Sequence, residues 1–249
     1  MRILRIVLFA VSLSVGIRIV SAVDAQIDST VDNTAVLEQM GGETAHIKDS
    51  WEPFNRAMFA FNDKIYRYFF KPINTGYTSI VPPVARTGVG NFFSNIKTPV
   101  RLINCLFQGK FKGAGKEIAR LVINSTVGVG GLWDPSKKLF HLKKEERDFG
   151  QTLGKGKIKP GTYIVWPFFG PSNVRDTAGR IVDAGLNLLS WVSFFYLAPI
   201  ESAGTYAGET VNDAEDKGKA YERITEPAID PYIALQDAYE KNREKKMME

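Results

Sequence analysis

Residues 51–70 have the sequence WEPFNRAMFAFNDKIYRYFF, and this stretch decides the fold class because its apolar residues repeat with a helical period. Two apolar stripes lie on the same helix, roughly 140° apart. The first stripe consists of Phe54, Met58, Phe61, Ile65 and Tyr68, and the second of Phe59, Tyr66 and Phe70. A second stripe favours a second apolar contact, with another helix or with lipid, although a buried helix of a large all-α core fits the pattern equally well.

The rest of the chain predicts helices and little sheet. Helical spacing recurs within residues 91–125, and two charge-rich stretches, 209–223 and 237–249, predict solvated helices. The best strand candidate is 163–168, but a single strand does not make a sheet. The 249 residues are enough for one sizeable core, so we expect an all-α protein with a single domain.

The N-terminus predicts export. Two arginines precede residues 6–17, an uncharged run with the length of a secretory signal. This run is shorter than the about 20 residues that a membrane-spanning helix needs, which favours a cleaved signal over an uncleaved anchor. We therefore expect residues 1–22 to be a cleaved signal peptide, 23–50 a flexible leader and 51–249 the folded domain.

The charge and the single cysteine limit the possible functions. Arg2, Arg5 and Arg18 of the signal carry three of the five net positive charges, and the remaining chain has no basic stripe. A nucleic-acid-binding protein should have such a stripe, so we expect no nucleic acid partner. Cys105 is the only cysteine, which excludes an intrachain disulfide, and its apolar neighbours predict a small buried residue.

The sequence contains no clear catalytic or metal-binding motif. His46 and His141 are the only histidines, and neither has the spacing of a metal site. No G-x-S-x-G elbow and no phosphate-binding glycine loop are present. Glu145, Glu146 and Asp148 lie in a polar segment where solvation is the expected role. We expect no enzyme activity, cofactor or metal, although spacing does not forbid a triad of distant residues.

Residues 128–133, GVGGLW, combine conformationally free glycines with apolar side chains. One interpretation is a hairpin that gates a path for lipid. The alternative is an ordinary turn between helices, with Leu132 and Trp133 filling the core.

Residues 184–200 carry no charge. As a helix they would span roughly 26 Å, which is short of the ~30 Å hydrocarbon core of a bilayer. Trp191 and Phe195 belong to a broad apolar arc of this segment. The pattern predicts either a helix lying in one leaflet or the central helix of a bundle.

Five sequence blocks resemble the MlaA (VacJ) family, whose members are outer-membrane lipoproteins of Gram-negative bacteria that move phospholipid. The blocks occur in the family's order, which makes the resemblance specific. They are WEPFNRAMFAFN at 51–62, RLVINSTVGVGGLWD at 120–134, DFGQTLG at 148–154, WPFFGPSNVRD at 166–176 and DPY at 230–232.

The resemblance implies a ring-like arrangement of amphipathic helices, embedded in one leaflet around a central channel. It implies a transport protein that removes mislocalised phospholipid, with a trimeric outer-membrane porin and a soluble periplasmic lipid carrier as partners. On this hypothesis the channel and gating loop comprise Asn124, Ser125, Gly128, Gly130, Gly131, Leu132 and Trp133. The membrane-facing residues are Phe54, Phe59, Phe61, Tyr66, Trp191 and Phe195.

The chain departs from the family at the predicted cleavage site. Family members place a lipid-modified cysteine directly after the signal, whereas this chain has Val23. We therefore expect a protein on the periplasmic side of the outer membrane without an N-terminal lipid. A soluble periplasmic lipid-binding protein is the main alternative function, and a lipid hydrolase is a third.

Overall fold

The computed structural model describes residues 49–187 and 199–248, so the predicted signal peptide and nearly all of the leader lie outside the described residues. Most of the described chain is helical, which confirms the predicted fold class. The helices are α1 (Glu52–Ile65), α2 (Lys71–Ile80), α3 (Pro83–Ile96), α4 (Thr98–Phe107), α5 (Phe111–Thr126), α6 (Pro135–Lys138), α7 (Phe149–Lys155), α8 (Val174–Leu186), α9 (Pro199–Thr225) and α10 (Pro231–Met248). The strands are β1 (Tyr163–Trp166) and β2 (Gly170–Asn173).

The first three helical elements are continuous, because a five-residue π-helix at Tyr66–Phe70 joins α1 to α2. Pro53 lies in the first turn of α1, where its missing N–H leaves no hydrogen bond unmade. The helix ends where Val81 becomes extended, directly before two prolines. The helix predicted for residues 51–70 is therefore confirmed, and it continues by ten further residues.

The strand predicted at 163–168 exists, but the expectation that it has no partner is wrong. Strands β1 and β2 form an antiparallel hairpin in which Tyr163 pairs with Asn173 and Trp166 with Gly170. Phe168 and Gly170 adopt positive φ of 66° each, which allows the tight reversal between the strands. The partner strand has the sequence GPSN, a composition typical of turns, and so it has no strand pattern.

Two asparagines of α1 replace a third strand beside β1. Asn55, which is fully buried, donates from Nδ2 to the Tyr163 carbonyl at 3.1 Å and accepts from the Val165 N–H at 2.7 Å. Two helical turns later, Asn62 makes the same pair of hydrogen bonds, to the Trp166 carbonyl and the Phe168 N–H. These bonds satisfy the edge of the hairpin, since unpaired backbone groups are costly when buried.

The C-terminal helices were predicted to be solvated, and this is wrong for their charged inner faces. Glu209 of α9 is buried and forms an ion pair with Lys97. Arg243 and Lys246 of α10 are also buried, and Lys246 lies 3.3 Å from the carboxylate of Glu146. Each buried charge has an opposite charge on another element, and a charge pattern along one helix does not reveal such partners.

Candidate functional site

The described part of the chain has a polar interior and many apolar side chains on its surface. Among the described residues, twenty buried residues are polar or charged, and ten are apolar. Exposed large apolar side chains occur on α1 to α5 and on α8. Soluble cores are dominated by apolar residues, so this distribution is the reverse of the usual one.

Helix α5 gives the clearest example of this reversal. Glu117, Arg120 and Asn124 recur at spacings of three and four, and all three are at most 5% exposed. Phe111, Ile118 and Val122 follow the same helical period on the other side, and they are 72%, 51% and 56% exposed. The helix therefore turns a polar row inward and an apolar row outward.

The inward polar row is held by charge pairs from neighbouring elements. Arg101 of α4 lies 2.7 Å from the Glu117 carboxylate, and Arg120 lies 2.8 Å from that of Asp134. Asn124 donates to Asp134 at 3.0 Å. Burial acts to raise the pKa of Asp134, but hydrogen bonds from Ser136 and Arg120 outweigh it and lower this pKa below its usual value.

The segment 128–133 folds back over the end of α5. The Gly131 N–H donates to the Asn124 carbonyl at 2.8 Å, and the Trp133 N–H donates to the Gly128 carbonyl at 2.9 Å. A Cβ on Gly131 would lie 2.7 Å from Cβ of Asn95 on α3. Asn95 in turn donates to the Ser125 hydroxyl of α5 at 3.0 Å, and Asn91 of α3 donates to the Leu132 carbonyl of the loop at 3.3 Å. The loop is therefore attached to both α3 and α5.

The residues predicted for the channel and gating loop differ in burial. Asn124 is buried and anchors the base of the loop through Asp134 and the Ser136 N–H, whereas Ser125 is exposed. Gly128 and Gly131 are buried and Gly130 is exposed. Leu132 and Trp133 are also exposed, so they do not fill the core as the turn interpretation expected. A gating role for the loop stays a prediction.

The residues predicted to face the membrane fall into three groups. Phe54 and Phe61 are exposed, and their rings meet Trp51 and Phe168 edge to face. Phe59 and Tyr66 are half-buried, and their rings contact Tyr232 and Tyr221, with centroids 5.9 and 5.1 Å apart. Trp191 and Phe195 lie outside the described residues, as does most of the uncharged segment 184–200. Contact with lipid stays a prediction for all six.

A second buried charge cluster joins α7, α8 and α10. Arg243 lies 2.6 Å from Asp148 and 2.7 Å from Asp176. Burial opposes ionisation, but the attraction of Arg243 outweighs it and holds the pKa of both aspartates below the usual range. Asp183 has the opposite shift, because burial and the nearby Asp148 charge raise its pKa to about 7. The sequence did not predict this cluster, because its members come from segments far apart in the chain.

Two properties of the described ranges bear on function. Within residues 49–187 and 199–248, no helix is both long and apolar enough to cross a membrane. In the same ranges, no group of histidine, cysteine and carboxylate side chains has an arrangement suited to a metal ion.

The chain is similar to proteins of one family over most of its length. The family model described as MlaA lipoprotein matches residues 47–246. A Haemophilus influenzae protein named intermembrane phospholipid transport system lipoprotein MlaA is 33% identical over 196 residues, which cover 78% of this chain and 77% of that protein. The Escherichia coli protein of the same name is 30% identical over 198 residues, covering 77% and 75%.

Two further likenesses agree with this match. An uncharacterized Rickettsia felis protein is 32% identical over 199 residues, covering 80% of this chain and 77% of that protein. A solved structure, described as the structural basis for maintenance of bacterial outer membrane lipid asymmetry, superposes with a TM-score of 0.69 at 29% identity. It covers 81% of this chain and 100% of that one.

Proposed function

The chain belongs to the MlaA lipoprotein family, and on that premise we propose that it transports phospholipid at the periplasmic side of the outer membrane. It removes mislocalised phospholipid from the membrane and so maintains the asymmetry between the two leaflets. The names of the Haemophilus and Escherichia relatives and the description of the similar structure support this function.

The observation that carries the proposal is the reversed polarity of α5. Phe111, Ile118 and Val122 form an outer surface that suits acyl chains. Glu117, Arg120 and Asn124 form a buried polar row whose charges are paired with those of neighbouring elements, so the inner side of the helix is polar. A protein that passes a charged headgroup through the apolar part of a leaflet needs both surfaces, because burying a charge without polar partners costs several kcal/mol.

Transport by such a path breaks no covalent bond. The polar wall stabilises the headgroup during its passage, and the apolar outer surface keeps the protein in the leaflet. Such transport requires no catalytic residue, and the named relatives in this family belong to a phospholipid transport system. The loop at residues 128–133 serves as the gate of the path, a role supported by its exposed Leu132 and Trp133 and by its attachment to two helices.

We further propose how the protein is located and what it contacts. Residues 1–22 direct export, and the apolar outer surface holds the protein in the inner leaflet of the outer membrane without an N-terminal lipid. A porin trimer positions it there, and a soluble periplasmic carrier accepts the phospholipid. A pull-down of the tagged protein from detergent-solubilised membranes tests the porin contact, and the proposal of this contact is wrong if no porin is recovered.

The direct test is complementation of a Gram-negative strain that lacks its own protein of this family. Phospholipid on the cell surface is measured by labelling intact cells with a membrane-impermeant, amine-reactive reagent. Expression of this chain should restore the low surface level of a normal strain. An unchanged level, with the protein folded and present in the outer-membrane fraction, would refute the proposal.

An alkaline carbonate wash tests the membrane attachment separately. Wild-type protein should remain in the outer-membrane pellet, and I118K should be released more easily because it places a charge in the apolar row of α5. K112Q changes the charge at an exposed position of the same helix outside the apolar row, so it is the control and should behave like wild type. Complete release of the wild-type protein would favour a soluble periplasmic lipid-binding protein.

A further inference from the structure

Residues 137–144 have the sequence KKLFHLKK and extend from the last turn of α6 towards α7. Seven of these eight residues are exposed, and Leu142 is half-buried. Leu139 and Phe140, at the centre, are 58% and 57% exposed. Two lysines lie on each side of this apolar centre. We call residues 137–144 the lysine loop, and the residues predicted for the channel or for the membrane contact include none of them.

The conformation of the lysine loop is fixed by hydrogen bonds at its base. The Leu139 N–H donates to the Pro135 carbonyl at 2.8 Å, and the Leu142 N–H donates to the Ser136 carbonyl at 2.9 Å. Between these two bonds, His141 reverses the chain with a positive φ of 54°, which is uncommon for a residue other than glycine. Such a conformation persists only where the surrounding contacts hold it, so the exposure of the apolar centre is built into the fold.

Three lysines of the loop carry uncompensated charge. In the described part of the chain, no carboxylate forms an ion pair with Lys137, Lys138 or Lys143. The carboxylates nearest in sequence are paired with cations of other helices: Asp134 with Arg120, Glu145 with Lys116 and Glu146 with Lys246. Glu146 also pairs with Lys144 of the loop. The lysine loop therefore presents a positive surface that attracts anionic groups.

The lysine loop is attached to the helix that we assign to the membrane. Arg120 of α5 donates to the Leu142 carbonyl, and Asn124 of the same helix accepts from the Ser136 N–H at 3.2 Å. Both α5 residues belong to the inner row, so one helix diameter, roughly 10 Å, separates the base of the loop from the apolar outer row. The loop therefore lies within reach of lipid headgroups when the outer row contacts acyl chains.

We propose that the lysine loop binds the anionic phospholipids of the leaflet in which the protein lies. Leu139 and Phe140 insert among the headgroups, and the flanking lysines contact the lipid phosphates. A bilayer places negative charge directly above an apolar interior, which matches lysines around an apolar centre, whereas nucleic acid needs an extended basic surface. The inference rests on the proposed membrane location, to which it adds the class of lipid at the point of contact.

The first test is a competition between two populations of vesicles. The full chain, purified in detergent and diluted below the micellar concentration, is mixed with equal amounts of phosphatidylcholine vesicles and of vesicles that also contain phosphatidylglycerol. One population carries a biotinylated lipid for its recovery, and the bound protein is measured in each population. Wild-type protein should prefer the anionic vesicles, and added salt should weaken this preference because it screens the lysines.

K137Q/K138Q should lower the preference for anionic vesicles roughly 25-fold, because each lysine near an anionic surface contributes about fivefold to binding. K219Q/K241Q is the matched control. It removes the same two positive charges from exposed lysines of α9 and α10, outside the lysine loop, so its preference should stay close to that of wild type. All four lysines are exposed, and melting curves check that each variant is folded.

A second test reports the position of the loop itself. L139C introduces a thiol at the apolar centre, and Cys105, the only native cysteine, is fully buried and so does not compete for a thiol-reactive label. An environment-sensitive fluorophore on the introduced thiol should shift its emission to shorter wavelengths when anionic vesicles are added. The same fluorophore on K241C should show no shift, because α10 lies outside the proposed contact.

The outcomes distinguish this inference from the proposed function. Equal distribution of the wild-type protein between the two populations overturns the inference, while complementation of surface phospholipid levels still supports transport. A preference that depends on Lys137 and Lys138 without any shift of the fluorophore also overturns it, and points to a soluble acidic partner. Failure of the wild-type chain both to bind any vesicle and to complement overturns transport and the inference together. A preference that falls in K137Q/K138Q and not in K219Q/K241Q, with a shift at position 139 and none at 241, supports the inference.

Discussion

Arg243 and Asp148 form an ion pair across the fold, with Nη1 of the arginine 2.6 Å from Oδ2 of the aspartate. The two residues are 95 positions apart, at the end of α10 and directly before α7. Arg243 also donates to Asp176 at 2.7 Å, and Tyr239 donates to the same carboxylate at 2.6 Å. One arginine therefore ties α10 to both α7 and α8.

Replacement of this arginine should destabilise the protein strongly. R243M leaves Asp148 and Asp176 without their shared cation, and Arg243 itself is only 4% exposed. Loss of one partner of a buried ion pair costs about 3–5 kcal/mol. The free energy of unfolding, measured by denaturant titration in detergent micelles, should fall by this amount.

K241M is the control for the same helix and the same type of substitution. Lys241 pairs with Asp237 at 2.8 Å, but its side chain is half-exposed. Exposed pairs contribute about 0–1 kcal/mol, so the control should be close to wild type. Equal effects of the two substitutions would contradict the role given to Arg243.

The stability should also depend on pH through Asp183. This carboxyl accepts hydrogen bonds from Asn104 and the Phe149 N–H, yet burial and the charge of Asp148 raise its pKa to about 7. In the unfolded chain an aspartate titrates near 3.9. Between about pH 4 and 7 the folded chain therefore holds a proton that the unfolded chain has released, and stability falls as pH rises.

D183N removes this titration. The unfolding free energy of D183N relative to wild type should increase by about 3 kcal/mol between pH 5 and pH 8. The difference between the two proteins at each pH is the relevant quantity, because all other titrating groups are shared. A difference that is the same at both pH values would show that Asp183 has no raised pKa.

The sequence predicted the helical class because an amphipathic helix has a helical period of apolar residues whether its apolar face is buried or exposed. The apolar positions Phe54 and Phe61 were placed on one helix face by spacing alone, and the structure exposes both. Spacing does not state whether an apolar face points inward or outward. The row of Glu117, Arg120 and Asn124 has the same helical period as the apolar row of α5, so the sequence of this helix alone does not decide which of the two faces is buried.

The parts that sequence did not predict depend on contacts between distant residues. Strand β2 has no strand pattern, and it exists because β1 pairs with it. The buried Arg243 lies in a charge-rich segment that looks solvated until Asp148 and Asp176 are placed beside it.

The close contact of α7 with α8 depends on two glycines. A Cβ on Gly179 would overlap the backbone nitrogen of Gly150, whereas a Cβ on Gly115 of α5 would meet nothing within 4 Å. G179A should therefore lower the unfolding free energy by about 1–3 kcal/mol. G115A should raise it by about 0.5–1 kcal/mol, because alanine favours a helix. Destabilisation by both, to the same extent, would refute the packing argument.

The loop at residues 128–133 gives a functional prediction with a matched pair of glycines. Gly130 and Gly131 both have positive φ, at 68° and 95°, so alanine strains the backbone at each. Only at Gly131 does the added Cβ also meet Asn95, at 2.7 Å. G131A must displace the Asn95 side chain, which binds Ser125 of α5 at 3.0 Å, and so it weakens the packing of the loop against α3.

If the loop gates the phospholipid path, weakening its packing against α3 by G131A should impair transport beyond the effect of backbone strain. In the complementation assay, cells with G131A should show several-fold more surface phospholipid than cells with G130A, at equal protein levels in the outer membrane. Both variants carry a cost of positive φ, so a larger effect of G131A reports the contact with Asn95 together with the greater strain at 95°. Equal surface phospholipid in the two strains would mean that the loop is a structural turn, and that the path is controlled elsewhere.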